Sequence, residues 1–258
     1  LPDADLIICS VPAQTTRAVV AGFAGQIAPS TGLIITSKGV ERGTQALQSE
    51  VLADVAPQNP VGVLTGPSFA VDVVANRPTG LTLACTDPDQ GRIWRDALAG
   101  NVIRTYYSPD IIGAQIGGAM KNVIAIACGI VAGRGLGASA QAAIMTRGFG
   151  EMSRLGLAMG AQIETLGGLS GLGDLALTCH SKSSRNFSYG FSLCEQGHAP
   201  DTGTFEGAKT AQAALELGAK HGVELPFTQI TAALVEGRIS VDEAIADVMT
   251  RPLKDETE

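Results

Sequence analysis

The chain has 258 residues, of which 45% are hydrophobic and 17% charged, and its formal net charge is -7. That length and apolar content fit one large or two ordinary folded domains and exclude a disordered chain. The acidic balance excludes nucleic acid as the main partner, since a phosphate backbone wants a basic face, but it allows a local basic pocket for a small anion.

The opening "LPDADLIICSVP" reads as a loop followed at once by a buried strand. No charged segment precedes it, so it is not a signal peptide, and the chain is expected to begin inside a domain. Helical "PAQTTRAVVAGFAGQI" follows, with Val19, Val20, Phe23 and Ile27 on one face. Next come the strand "GLIITS" and a helix with Leu47, Val51, Leu52 and Val55 on one stripe. "VGVLTG", "TGLTLAC" and "VIRTYY" are three further strands, the last two separated by helical "RIWRDAL", where Ile93, Trp94, Ala97 and Leu98 cluster. Strands alternating with helices predict a largely parallel sheet covered on both faces.

After Pro109 the pattern turns helical, with segments expected at 111–132, 139–160, 174–179, 186–196, 206–221, 226–236 and 240–249. Ser240 and Glu243 form a capping box for the last of these. The fold class is α/β plus all-α: a truncated Rossmann-like dinucleotide-binding domain over 1–108, then an all-helical substrate domain over 109–258. The apolar run 111–133 is long enough to cross a membrane, but Lys121, Gln115 and Asn122 sit within it. A lysine at mid-bilayer costs about 2.5–3.5 kcal/mol, so a buried helix is expected and no membrane span.

Cys9, Cys85, Cys128, Cys179 and Cys194 are scattered without a CxxC pair, as expected of reduced thiols in a cytosolic protein. His180, His198 and His221 show no ligand spacing, so no metal site is expected.

Three loops fall at the carboxyl ends of predicted parallel strands, where α/β sheets bind ligands: Ser10–Pro12, Ser37–Gly39 with Lys38, and Gly66–Ser68. Any one of them could be an ordinary turn; together, with a lysine, they suit an anion. In the helical half, Asp174 follows the glycine-rich "GLG", and Ser183, Ser184, Arg185 and Asn186 open a helix. Either set could cap a helix, or the second could hold a phosphate on free N–H groups and a guanidinium. Gly117 and Gly118 lie one turn before Lys121 and are expected to leave ligand space beside its ammonium group. Burial would lower the proton affinity of Lys121 and suit it to proton transfer; a lysine snorkelling to solvent is the alternative.

The segments "SVP", "TSKGVE", "TGPSFA", "YYSPDIIGAQIGGAMKNVIAIACGI", "AAIMTRGFGEMSRLG", "GLSGLGDLALTC" and "SSRN" occur in order over residues 5 to 190. On these segments the sequence resembles bacterial-type NAD(P)-dependent glycerol-3-phosphate dehydrogenase. The resemblance implies NAD or NADP as cofactor and reversible hydride transfer to dihydroxyacetone phosphate, giving glycerol 3-phosphate for phospholipid synthesis. It also implies a small phosphorylated substrate, a homodimer and a cytoplasmic location. Lys121 is similar to the family's acid/base. Lys38, Gly66, Ser68, Asp174, Ser184, Arg185 and Asn186 match substrate positions. Ser10, Pro12, Lys38, Ala70, Arg185 and Glu206 match cofactor positions.

The family's GxGxxG unit would precede Leu1, and a chain without it is expected to be inactive. Two other readings remain at this stage. One is a sibling hydroxy-acid or oxo-acid reductase on the same two-domain plan. Many of those place an asparagine one turn after the lysine; here position 125 is Ala and Asn122 is adjacent instead. The other is a non-catalytic anion-binding module.

Overall fold

The computed structural model describes residues 2–196 and 205–250. His198 therefore lies outside the described residues, as does the charged "KDETE" terminus.

The first half runs β1 (Leu6–Cys9), α1 (Thr16–Ala21), β2 (Gly32–Ile35), α2 (Gln48–Val55), β3 (Val61–Thr65), α3 (Ala70–Val74), β4 (Thr79–Ala84), α4 (Pro88–Leu98) and β5 (Ile103–Ser108). The five strands form one sheet in the order β1-β2-β3-β4-β5. β1, β2 and β3 are mutually parallel, with Ile35 opposite both Cys9 and Val63. The expected parallel course breaks at β4, which runs antiparallel to β3, while β5 runs parallel to β4. The cause lies in the connection: α3 is a five-residue helix. At about 1.5 Å per residue it advances the chain by only about 7 Å, so β4 starts near the end at which β3 stops.

The helix expected after β1 is interrupted. Short 3-10 turns at Ala13–Thr15 and Ala24–Gln26 flank α1. Val20 is fully buried but Val19 is exposed, because the helix ends at Gly22 before a second turn of apolar side chains can form. α4 starts cleanly: the Asp87 carboxylate accepts from the N–H groups of Asp89 and Gln90, and Pro88 opens the first turn. Trp94 on α4 lies over Gly32 and Gly62, which have no side chains to block its ring. Ile93, expected beside it, faces solvent instead.

Beyond Ser108 the described chain is helical: α5 (Ile111–Gly133), α6 (Gly137–Ala158), α7 (Ile163–Leu166), α8 (Asp174–Cys179), α9 (Arg185–Gln196), α10 (Glu206–Lys220), α11 (Pro226–Val235) and α12 (Val241–Thr250). A π-helical turn, Leu169–Gly173, leads into α8. α3, α7 and this π turn were not legible in the apolar pattern. The expected Ser240–Glu243 capping box is present.

α5 is the axis of the molecule. Its Asp110 cap accepts from Gly113 N–H and also from Gln162 N–H, both at 2.7 Å. Its first turns meet the sheet, where Ala114 shares a core with Val63 and Ala84. Its later turns form a second core with Met152, Leu155, Leu175 and Leu217. Gly129 and Gly133 lie against the backbone of α9 at Phe187 and Phe191, and Gly190 of α9 lies against Ile126. Backbone thus meets backbone, which only residues without a Cβ permit. Of the most apolar window of α5, 83% is buried in protein, so its hydropathy reflects the centre of the fold.

Candidate active site

The parallel run of β1, β2 and β3 brings Ser10–Pro12, Ser37–Gly39 and Gly66–Ser68 to one edge of the sheet. α5 passes beneath that edge and carries Lys121, which is buried.

Lys121 Nζ donates to Asp174 Oδ1 at 2.5 Å and to Thr178 Oγ1 at 3.0 Å. The Thr178 hydroxyl proton is directed to the Asp174 carbonyl at 2.6 Å, so its oxygen is free to accept. Lys38 Nζ donates to the other Asp174 oxygen, Oδ2, at 2.6 Å and to Gly66 O at 3.1 Å. One fully buried carboxylate thus bridges two ammonium groups whose side chains are 8% and 17% exposed. Two cations against one anion leave the cluster with net positive charge, the complement of an anionic substrate. Each ammonium has three N–H donors, and one on each has no partner among the described residues.

Burial is the main cause that lowers the Lys121 pKa to about 8, and the Lys38 charge adds to it; Asp174 opposes both. The amine can therefore exchange a proton near neutral pH. Asp174 does not cap α8, whose N-cap is Gly173; its carboxylate is directed instead to the lysines.

The expectation that Gly117 and Gly118 leave room for a ligand is not met. A Cβ on Gly117 would stand 2.5 Å from Ser170 O, and one on Gly118 would stand 3.2 Å from Lys38 Cγ. Protein already fills both places: the π turn before α8 beside Gly117, and the Lys38 stem with Thr65 beside Gly118.

Gly66 has φ +133°, and a Cβ there would also press on β4 at 3.2 Å, so this turn requires glycine. Ser68 Oγ is directed toward Gly66 O at 3.5 Å. Ser184 Oγ accepts from Phe187 N–H at 3.2 Å, a cap on α9. Asn186 Oδ1 accepts from Gly207 N–H at 3.0 Å and so ties α9 to α10. Arg185 is exposed at the first position of α9 and makes no ion pair among the described residues. Glu206 Oε1 accepts from Ala13 N–H at 3.3 Å, joining α10 to the loop after β1. Pro12, Ala13, Gln14, Glu206, Lys209 and Thr210 line a small crevice there. Ala70 is exposed at the start of α3.

Two residues that touch the cluster were not among the expected site residues. Thr178 lies one turn after Asp174 on α8, a spacing that could have singled it out. Asn122 Nδ2 donates to Lys38 O at 3.2 Å and fixes the lysine loop on α5.

The residues present fit a dinucleotide cofactor. Ser10 is exposed at the strand ends. Ser37 Oγ and Thr65 Oγ1, at the ends of β2 and β3, are buried without a hydrogen-bond partner among the described residues. Polar groups left in this way at a sheet edge suit a ligand with its own donors and acceptors. A sheet edge of this kind beside a helical half that carries a buried lysine–aspartate–lysine cluster is in keeping with a nicotinamide-dependent dehydrogenase.

Comparison with known proteins makes the class specific. The family model for the NAD-dependent glycerol-3-phosphate dehydrogenase N-terminus matches residues 1–91, and that for the C-terminus matches residues 110–246. Glycerol-3-phosphate dehydrogenase [NAD(P)+] of Parvibaculum lavamentivorans is 47% identical over 99% of this chain and 78% of its own length. The enzyme of the same name from Caulobacter vibrioides is 47% identical over 99% of this chain and 79% of its own. The crystal structure of glycerol-3-phosphate dehydrogenase from Coxiella burnetii superposes with a TM-score of 0.89 at 34% identity, covering 96% of this chain and 77% of that one. The chain belongs to the NAD-dependent glycerol-3-phosphate dehydrogenase family. Its activity is hydride transfer between NAD or NADP and the dihydroxyacetone phosphate–glycerol 3-phosphate pair.

Proposed function

We propose that Lys121 is the acid/base of this reaction and that Asp174 and Lys38 set its charge state. The observation that carries the assignment is the buried Lys121–Asp174–Lys38 cluster with one unassigned N–H on each ammonium. When bound, the nicotinamide supplies or accepts the hydride at substrate C2.

In the reducing direction, protonated Lys121 donates to the C2 oxygen as negative charge develops there. In the oxidising direction, neutral Lys121 takes the hydroxyl proton. Lys38 orients substrate through its remaining N–H, since two of its donors are fixed by Asp174 and Gly66 O. Arg185, with no ion pair among the described residues, is free to meet the substrate phosphate with a forked pair of donors. Ser184 and Asn186 at the start of α9, and Gly66 and Ser68 after β3, complete the substrate set. Ser10, Pro12, Lys38, Ala70, Arg185 and Glu206 are assigned to the cofactor. Residues 1–108 act as the cofactor unit and 109–258 as the substrate unit, with α5 of the second packed against the sheet of the first.

The proposed state is a homodimer in the cytoplasm, in keeping with the family resemblance and the free thiols; sedimentation analysis tests the dimer. The function is tested by following oxidation of reduced nicotinamide, which should require dihydroxyacetone phosphate. Oxidation that proceeds equally with an unphosphorylated hydroxy acid or oxo acid would contradict it.

A further inference from the structure

The adjacent glycines of α5 each face a different element. A Cβ on Gly117 would meet Ser170 O at 2.5 Å and Gly171 Cα at 2.8 Å, within the π turn that leads into Asp174. A Cβ on Gly118 would meet Lys38 Cγ at 3.2 Å and Thr65 Oγ1 at 3.3 Å. Both glycines are buried, and Lys121 follows one turn later on the same helix.

We infer that Gly117 and Gly118 are positioning residues of the reaction: the bare Cα of one seats the turn that carries Asp174, and that of the other seats the Lys38 side chain, so that both charges are held against Lys121. The inference rests on the reading of Lys121 as acid/base and adds what fixes its partners.

The two seats act on Lys121 in opposite directions. Asp174 raises the proton affinity of Lys121, while Lys38 lowers it. The groups that bear on this amine are Lys38 from the loop after β2, Asp174 and Cys179 from α8, and the Thr178 hydroxyl. A methyl on Gly117 pushes the π turn away and carries Asp174 with it. A methyl on Gly118 pushes the Lys38 stem aside, which relieves the repulsion between the two ammonium groups. A purely structural role would lower stability in both variants without this opposition of sign.

The test measures the titration midpoint of Lys121 directly, as the pH dependence of its ¹³Cε NMR shift in the folded full chain labelled at lysine, the signal being assigned by its loss in Lys121→Met. Gly118→Ala should move the midpoint up from about 8, and Gly117→Ala should move it down, each by about half a unit or more. Gly118→Ala asks the Lys38 stem and the Thr65 hydroxyl to give by only a few tenths of an ångström, against backbone contacts as short as 2.5 Å for Gly117→Ala, so it is the variant that decides the matter if Gly117→Ala does not fold. Leu169→Ala removes the side chain that holds the π turn against Gly80 and should lower the midpoint as Gly117→Ala does. Shifts in one common direction, or no shift in Gly118→Ala, overturn the inference. If the midpoints move as stated but the pH profile of kcat does not follow, the positioning stands and the acid/base reading fails. If kcat depends on Lys121 while the midpoints stay fixed, the positioning fails and the acid/base reading stands.

Discussion

Lys121 on α5 and Glu151 on α6 are both buried charged residues in the helical half. Glu151 is bonded through both of its oxygens. Its two oxygens accept from Phe227 N–H at 2.6 Å, Thr228 N–H at 3.0 Å and Thr228 Oγ1 at 2.8 Å, so it closes the amino end of α11. Lys121 has one N–H without a partner among the described residues and shares its counter-ion with a second cation. A buried charge whose hydrogen bonds all go to the end of one neighbouring helix fastens two elements together. One whose bonds are incomplete, at the mouth of a strand edge, is available for chemistry.

The sharpest way to break this contrast is to remove each charge in turn. Lys121→Ala should lower kcat of the folded enzyme by about 10²–10⁴-fold, as loss of a general acid does; steady-state kinetics on the folded fraction check it. Turnover near wild type would move Lys121 into the same class as Glu151. Conversely, Glu151→Ala leaves the α11 donors without their acceptor. It should cost about 1–3 kcal/mol of stability in denaturant titration and leave kcat of the remaining folded enzyme unchanged. A kinetic loss equal to that of Lys121→Ala would mean that the two sites are not separable.

A milder change sharpens the contrast. Asp174→Asn keeps the shape of the cluster and removes its negative charge. Because Asp174 raises the Lys121 pKa, the limb of the kcat pH profile assigned to Lys121 should move below about 8. Glu151→Gln should leave that limb in place.

The smallest effect is on stability against pH. The folded Lys121 pKa is lowered from 10.5 to about 8, so between those values the unfolded chain binds more protons than the folded one. Stability from this group therefore rises as pH rises through the window from about 8 to 10.5. Glu151 is displaced the other way, its pKa raised chiefly by burial against its hydrogen bonds. Its share of stability falls as pH rises above the ordinary glutamate value. Chemical denaturation of Lys121→Met and wild type across the alkaline window should show the first slope only in wild type.

Much of this was legible beforehand, for identifiable reasons. Long elements such as α5, α6 and α10 announce themselves through several turns of apolar periodicity. α3, α7 and the π turn hold one turn or less, too few residues to repeat. The direction of β4 depends on how far α3 carries the chain, which no alternation pattern encodes. The site residues were placed by family resemblance and by the logic of strand-end loops. What local spacing could not give was their pairing: Asp174 meets Lys121 across 53 positions of sequence and Lys38 across 136. The role of Gly117 and Gly118 was misread for the same reason. A missing side chain looks like empty space until the element that occupies it is known.

The central claim is that Lys121 exchanges the proton of the reaction, and the pH dependence of kcat/KM in both directions tests it most directly, because kcat/KM reports groups of the free enzyme. With Lys121 titrating at about 8, ketone reduction should fall as pH rises through that value and alcohol oxidation should rise through it. Both limbs should vanish in Lys121→Ala. Limbs that persist unchanged in Lys121→Ala, or a wild-type profile flat across that midpoint in both directions, would contradict the account.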